Sequence, residues 1–201
     1  MSGHSHWAGI KHKKGATDQK RGVVFSKLLA AISAAAKTEQ DPNFNPRLRT
    51  AVEKAREASV PADNIARAIK RASETGQNLE ELIFEAYGPG GIAILIEAIS
   101  DSKNRTVQEV KLILNELGGK WAESGSVLWA FRPTADVRRP DADLRGQDVG
   151  QHESNADKRE NWVAKFPQDV QGDDKAKLET LIAALEDQND VQKVYTNAKN
   201  E

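Results

Sequence analysis

The chain has no cysteine among its 201 residues. That excludes disulfides, thiolate nucleophiles and thiolate-held metals together. No apolar run approaches the length needed to cross a bilayer. The opening Met1-Ser2-Gly3-His4 lacks the apolar segment of a secretory signal. A cytoplasmic protein with no membrane partner is therefore the expectation. Acid is scarce where it would matter most: residues 1–27 carry Asp18 alone against Lys11, Lys13, Lys14, Lys20, Arg21 and Lys27.

Reactive constellations are also missing. Gly88-Pro89-Gly90-Gly91 invites comparison with a phosphate-binding loop, but no Gly-Lys-Ser/Thr follows, and the next segment has strand rather than helix character. It is expected to be a turn. His4, His6 and His12 fall in the basic N-terminal segment, and His152 falls in a polar stretch where nothing rigid would orient a base toward a nucleophile. Without cysteine, a zinc site would need three or four fixed ligands from other residue types, so no metal and no cofactor are expected. Glu85, Glu97 and Asp101 could in principle assemble a pair of carboxylates, although acids on a hairpin are more simply solvated. Asn104-Arg105-Thr106 matches a glycosylation sequon and is more simply a helix entrance. No enzyme and no small-molecule substrate are expected.

What the chain does have is segregated charge. The net charge of −1 conceals fourteen Lys/Arg against six Asp/Glu in residues 1–72, and fifteen against twenty-four in residues 73–201. One part of such a chain suits a polyanion and the other repels it. The basic part also carries Trp7, which can stack on an exposed base or anchor its own segment.

Periodicity divides the chain further. Val24, Phe25, Leu28, Leu29, Ile32 and Ala36 recur at three- and four-residue intervals, predicting a helix over 16–37 behind a flexible arm. Asn45 as cap and Pro46 at the first helical position predict a second helix through Leu48, Val52 and Ala55. Pro61 opens a third, with Ile65, Ala68 and Ile69 inward. Three short helices thus form a basic domain over 1–77.

From 78 on the pattern changes. Segments 82–87 and 92–99 predict a hairpin around the glycines, and Thr106 with Glu109 has capping-box spacing ahead of a helix closed by Gly118-Gly119. A strand over 126–131, a strand over 162–166, a helix over 177–185 and a strand over 191–196 complete a ferredoxin-like α+β domain built from 78–131 and 162–201. Residues 132–161 are polar and poor in large apolar side chains, and are expected to be a linker.

Several motifs in order, Gly3-His4-Ser5-His6-Trp7-Ala8-Gly9-Ile10-Lys11-His12-Lys13-Lys14, Asn45-Pro46-Arg47-Leu48-Arg49 and Glu85-Ala86-Tyr87-Gly88-Pro89-Gly90-Gly91, carry a resemblance. The chain resembles the YebC/PmpR family, which includes the mitochondrial translational activator of cytochrome oxidase. The likeness spans about residues 1–131 and returns at 178–197. It implies a helical N-terminal domain, a ferredoxin-like second domain and a nucleic-acid-binding role, described as transcriptional regulation and also as assistance to the translating ribosome. Family members usually have lysine where His6 stands, and insert a third α+β domain where this chain has 132–161.

The resulting expectation is a non-enzymatic, DNA-binding regulator of transcription, with a ribosome-associated RNA-binding regulator of translation as the alternative. Trp7, Lys11, Lys13, Lys14, Lys20, Arg21, Lys27, Arg47, Arg49, Arg67, Lys70 and Arg71 are the candidate nucleic-acid contacts.

Overall fold

The structure is a computed structural model that describes residues 5–73, 79–134 and 162–199, and the side chains of 21–72, 79–134 and 162–199. Of the expected linker 132–161, Arg132 and Pro133 instead belong to a strand, and residues 135–161 lie outside the described residues. Among the described residues five helices and six strands follow in order: α1 Ser5–Ala36, α2 Pro46–Glu57, α3 Ala62–Ser73, β1 Glu80–Tyr87, β2 Ala93–Ser100, α4 Lys103–Glu116, β3 Lys120–Ala122, β4 Phe131–Pro133, β5 Trp162–Ala164, α5 Asp173–Asp187 and β6 Val191–Thr196. The class is the expected α+β, with a helical N-terminal part followed by a sheet and two further helices.

The described chain divides into two compact units. The first comprises Met1–Leu82, Glu97–Gln108 and Ala184–Gln192, and the second Ile83–Ile96, Glu109–Ala183 and Lys193–Glu201.

In the first unit, α1 is 32 residues long. It begins at Ser5 rather than near residue 16, so the backbone expected as an arm continues the helix. Lysine, alanine and glutamine are adequate helix formers, and extending an existing helix avoids the cost of nucleating one. The apolar stripe on its C-terminal half packs Ile32, Ala35 and Ala36 against Leu48, Val52 and Ala55 of α2 and Ile65 and Ala68 of α3. Small residues at these contacts let the helix axes approach closely. Ser33 Oγ adds a buried hydrogen bond to the Ala68 carbonyl at 2.9 Å.

The start of α2 is as anticipated. Asn45 Oδ1 accepts from the Leu48 amide at 2.9 Å, with Pro46 at the first helical position. Its Nδ2 also donates to the carbonyls of Ala35 at 2.9 Å and Glu39 at 2.7 Å, so one buried side chain ends α1 and starts α2.

The main sheet has the order β3-β1-β2-β6, and β1 pairs with β3 antiparallel in the register Glu85↔Ala122, Ala86↔Trp121 and Tyr87↔Lys120. A central position explains the unbroken apolar run of β2, in which Ile94, Leu95 and Ile96 are all fully buried. Between β1 and β2 a single 3₁₀ turn spans Pro89–Gly91, with Gly90 and Gly91 at φ of 71° and 73°.

Two expectations are corrected. Residues 126–131 do not form a strand: Leu128–Ala130 is a 3₁₀ turn and only Phe131–Pro133 is extended. The turn aims the amides of Gly125, Val127 and Leu128 at the Glu85 carboxylate, at 2.6, 2.6 and 2.9 Å, and a flat strand could not deliver all three. Nor is Thr106 a helix cap. It lies inside α4, fully buried, and its hydroxyl is drawn into a polar cluster with Ser100 and Asp190.

Strands β4 and β5 form a separate antiparallel pair, Phe131↔Ala164, Arg132↔Val163 and Pro133↔Trp162. Phe131 and Trp162 turn inward onto Leu95, Val127 and Ala130.

Candidate nucleic-acid interface

The spacing of α3 places Arg67, Lys70 and Arg71 three and four residues apart, on one exposed stripe opposite Ile65 and Ala68. Where α3 lies along α1 there is a groove of about 370 Å³. Its polar rim comes from Ser26 and Ser33 of α1 and Asn64, Arg67 and Arg71 of α3. Arg67 is held in place: its Nε donates to the Asp63 carbonyl at 3.2 Å and its guanidinium donates to Asn64 Oδ1. A guanidinium fixed on one side and open to a groove on the other suits a phosphate oxygen, and the exposed Ser26 hydroxyl on the facing helix can add a neutral hydrogen bond, while the Ser33 hydroxyl is already spent on the Ala68 carbonyl.

The other predicted contacts are distributed differently. Arg21 is exposed on α1, its guanidinium 5.1 Å from the centre of the Phe25 ring. Lys27 is half-buried and donates to the Glu186 backbone carbonyl near the end of α5. Burial pushes its ammonium below the ordinary lysine range, against the opposing pull of Glu186 and Asp187. Arg47 forms an ion pair with Glu81. Arg49 donates to the carbonyls of Pro42 at 3.1 Å and Asn43 at 3.4 Å, bracing the loop before α2. Trp7, Lys11, Lys13, Lys14 and Lys20 lie on the α1 backbone with side chains outside the described residues. The structure thus places Arg67, Lys70 and Arg71 on one exposed stripe of α3, whereas Lys27, Arg47 and Arg49 are engaged elsewhere, with the end of α5, with Glu81 and with the loop before α2.

Ser26, Ser33 and Asn64 were not among the residues singled out from sequence. Neutral polar side chains between apolar helix positions look like ordinary surface until a second helix is laid beside them. The serine spacing of seven along α1, two helical turns, was the available signal.

The acids considered for catalysis have structural partners. Glu85 is buried, not solvated, with its carboxylate occupied by three backbone amides. Asp101 pairs with Arg105 at 3.0 Å. In the glycine turn the Gly88 amide donates to the Ile92 carbonyl at 2.8 Å and the Gly91 amide to the Gly88 carbonyl at 3.1 Å, so the loop spends these amides on itself.

The N-terminal part, residues 5–75, matches the family model for the TACO1/YebC protein N-terminal domain, and residues 79–152 match the model for the TACO1/YebC second and third domain. A protein of Chloroherpeton thalassium named "Probable transcriptional regulatory protein" is 40% identical over 237 residues, covering 98% of this chain and 95% of that relative. The chain belongs to the TACO1/YebC family. A second relative from Koribacter versatilis, with the same descriptive name, is 38% identical over 98% of this chain and 95% of its own length. A solved structure, a conserved hypothetical protein of Aquifex aeolicus, superposes with a TM-score of 0.75 at 32% identity, covering 97% of both chains. Within this TACO1/YebC chain, the N-terminal-domain match takes in α1, α2 and α3, and so every groove residue except Leu79. No described helix is long and apolar enough to cross a membrane.

Proposed function

We propose that this TACO1/YebC protein is a non-enzymatic regulator of gene expression that binds nucleic acid, with duplex DNA as the target and transcription as the regulated step. The carrying observation is the groove between α1 and α3, where Arg67 and Arg71 face two serines and an asparagine, with Lys70 on the same stripe. Cations at such spacing neutralise successive phosphates and release counterions, so binding is strong at low salt and weakly selective for sequence. The names of the relatives support regulation of transcription as the outcome. Trp7, Lys11, Lys13, Lys14, Lys20 and Arg21 extend the contact along α1, and neither a metal nor a small-molecule substrate takes part.

The second reading is a ribosome-associated, RNA-binding regulator of translation in the same cytoplasmic setting. It is favoured by the 32 residues of α1, about 48 Å of continuous helix at the usual rise, far longer than the segment that reads bases in a major groove.

The test compares binding of promoter-length duplex DNA and of ribosomes at near-physiological salt. Each is measured for the whole chain, for a chain lacking residues 1–22, and for Arg67→Glu with Arg71→Glu. Selective duplex binding lost in both variants supports the first reading. Salt-resistant ribosome association with only weak duplex binding moves the conclusion to the second. Unchanged affinity for both targets in both variants overturns the proposal.

A further inference from the structure

In the second unit, Trp129 and Phe166 are 60% and 58% exposed, yet they rest on one another with ring centres 5.6 Å apart and planes tilted by 46°. Large aromatic rings ordered at the surface are uncommon unless something is to meet them. Trp129 is not exposed for want of a hydrogen bond, because its Nε1–H donates to the Ser126 carbonyl at 2.8 Å. The Tyr87 hydroxyl donates to the same carbonyl at 3.0 Å. The indole is thus pinned by its polar edge while its face stays open, and ordering it on binding costs little.

Two exposed cations lie close by in the chain. Arg132 stands opposite Val163 in the β4–β5 ladder, both on the exposed face, while Phe131 and Ala164 take the other. Lys165 directly precedes Phe166, is exposed, and donates its amide to the Ala130 carbonyl at 2.8 Å, which places its backbone beside the Trp129 turn. Asp169 is neutralised by Lys199 at 2.8 Å. Trp129, held by its hydrogen bond, and Phe166, resting on it, thus lie close in the chain to the exposed Val163, Arg132 and Lys165, so that open aromatic surface is accompanied by two cations. Rings and cations together suit the face of an unpaired base with its neighbouring phosphates.

We propose that Trp129 and Phe166 form a stacking platform for an unpaired nucleobase, with Arg132 and Lys165 contacting the adjoining phosphates. The site rests on the reading that the protein binds nucleic acid, and it adds a preference for single-stranded segments that the α1–α3 groove does not supply.

The experiment titrates the full chain with a single-stranded twelve-nucleotide RNA and with the duplex of the same sequence. Intrinsic tryptophan emission and anisotropy of an end-labelled strand are followed. Trp129→Ala and Phe166→Ala are each expected to weaken single-strand binding by about tenfold, in line with the usual worth of one stacked base, and to leave duplex binding unchanged. Trp129→Phe should keep most of the affinity while losing much of the emission quenching, which Trp129→Leu cannot do. Both positions are mostly exposed, so folding should survive, and circular dichroism checks that it does. The proposal is overturned if the alanine variants bind single strands like the parent, or if leucine serves as well as phenylalanine. It is likewise overturned if the patch proves to mediate self-association, seen as a dimer by light scattering that Trp129→Ala dissociates. Should Arg67→Glu with Arg71→Glu abolish duplex binding while Trp129→Ala changes nothing, only the platform falls. A parent chain that binds no nucleic acid removes both readings.

Discussion

Thr106 Oγ1 lies 2.7 Å from Asp190 Oδ2, joining the interior of α4 to the residue that precedes β6 across 84 positions of chain. Ser100 Oγ at 3.1 Å and the Arg105 guanidinium at 3.0 Å donate to the same carboxylate oxygen. Burial alone would raise the Asp190 pKa, but the hydrogen bonds from Thr106 and Arg105 outweigh it and hold the carboxyl below the usual range. A carboxylate depressed in this way contributes stability that is fully present above its unfolded pKa, near 4, and is lost as pH falls through the folded value. Asp190→Asn should therefore cost about 1–2 kcal/mol at pH 7, the ordinary worth of hydrogen bonds to a charged group. The deficit should shrink as the parent is acidified below about pH 4. Urea denaturation of both chains at a series of pH values measures it, and a deficit independent of pH would contradict the assignment.

Glu85 gives a second stability prediction. Its carboxylate accepts from three amides that have no place in a strand ladder, so truncation strands one buried donor and two part-buried ones at once. Glu85→Ala should destabilise by about 3 kcal/mol or more, whereas Glu85→Gln, which keeps an acceptor of the same reach, should cost about half as much. The midpoint of chemical denaturation decides, and equal losses in the two variants would refute the capping role.

These two acids mark where local pattern stops being informative. The second helix was legible because its signals are neighbours: Asn45 caps, Pro46 starts, and Leu48, Val52 and Ala55 recur on one face. Beta strand 6 was legible for the same reason. Residues 126–131 alternate Val127, Trp129 and Phe131 as a strand would, and only the Glu85 carboxylate, forty residues earlier, explains the turn. Thr106 and Glu109 have the spacing of a cap, but an aspartate at position 190 claims the threonine. The early start of α1 was hidden because lysines, histidines and glycines show no apolar period. Composition located the cations of the candidate interface, while their partners, Glu81 for Arg47 and the Glu186 carbonyl for Lys27, depend on the tertiary fold.

Two glycines separate steric from conformational demands. A Cβ on Gly119 would stand 2.8 Å from Leu114 Cδ2, 3.1 Å from Leu181 Cδ2 and 3.3 Å from the Tyr87 carbonyl oxygen. Both leucines are fully buried and have little room to yield. Gly119→Ala should cost about 1–3 kcal/mol by overpacking. Gly125 meets nothing within 4 Å but holds φ at +87°, so Gly125→Ala should cost about 1 kcal/mol from backbone strain alone. Thermal melts of the two variants should rank them in that order, and the reverse order would show that the leucines move aside freely.

Lys27 and Arg71 offer a comparison at equal charge. Both belong to the basic N-terminal part, and removing either lowers the charge by one. Lys27 is half-buried, its ammonium already spent on the Glu186 carbonyl and its charged form penalised by burial. Arg71 is exposed on the rim of the α1–α3 groove. If bulk charge governed binding, Lys27→Met and Arg71→Met would weaken nucleic-acid affinity equally. If groove geometry governs it, Arg71→Met should reduce the slope of log affinity against log salt by about 0.9, one duplex phosphate contact, while Lys27→Met leaves the slope in place. Neither change should cost the fold much. Arg71→Met should stay within about 0.5 kcal/mol of the parent, as surface changes do. Lys27→Met removes an ammonium that burial disfavours and should be neutral or slightly stabilising. Salt titrations of duplex binding, with the parent alongside, distinguish the cases: identical slopes for the two variants would mean that the groove is not where the phosphates sit.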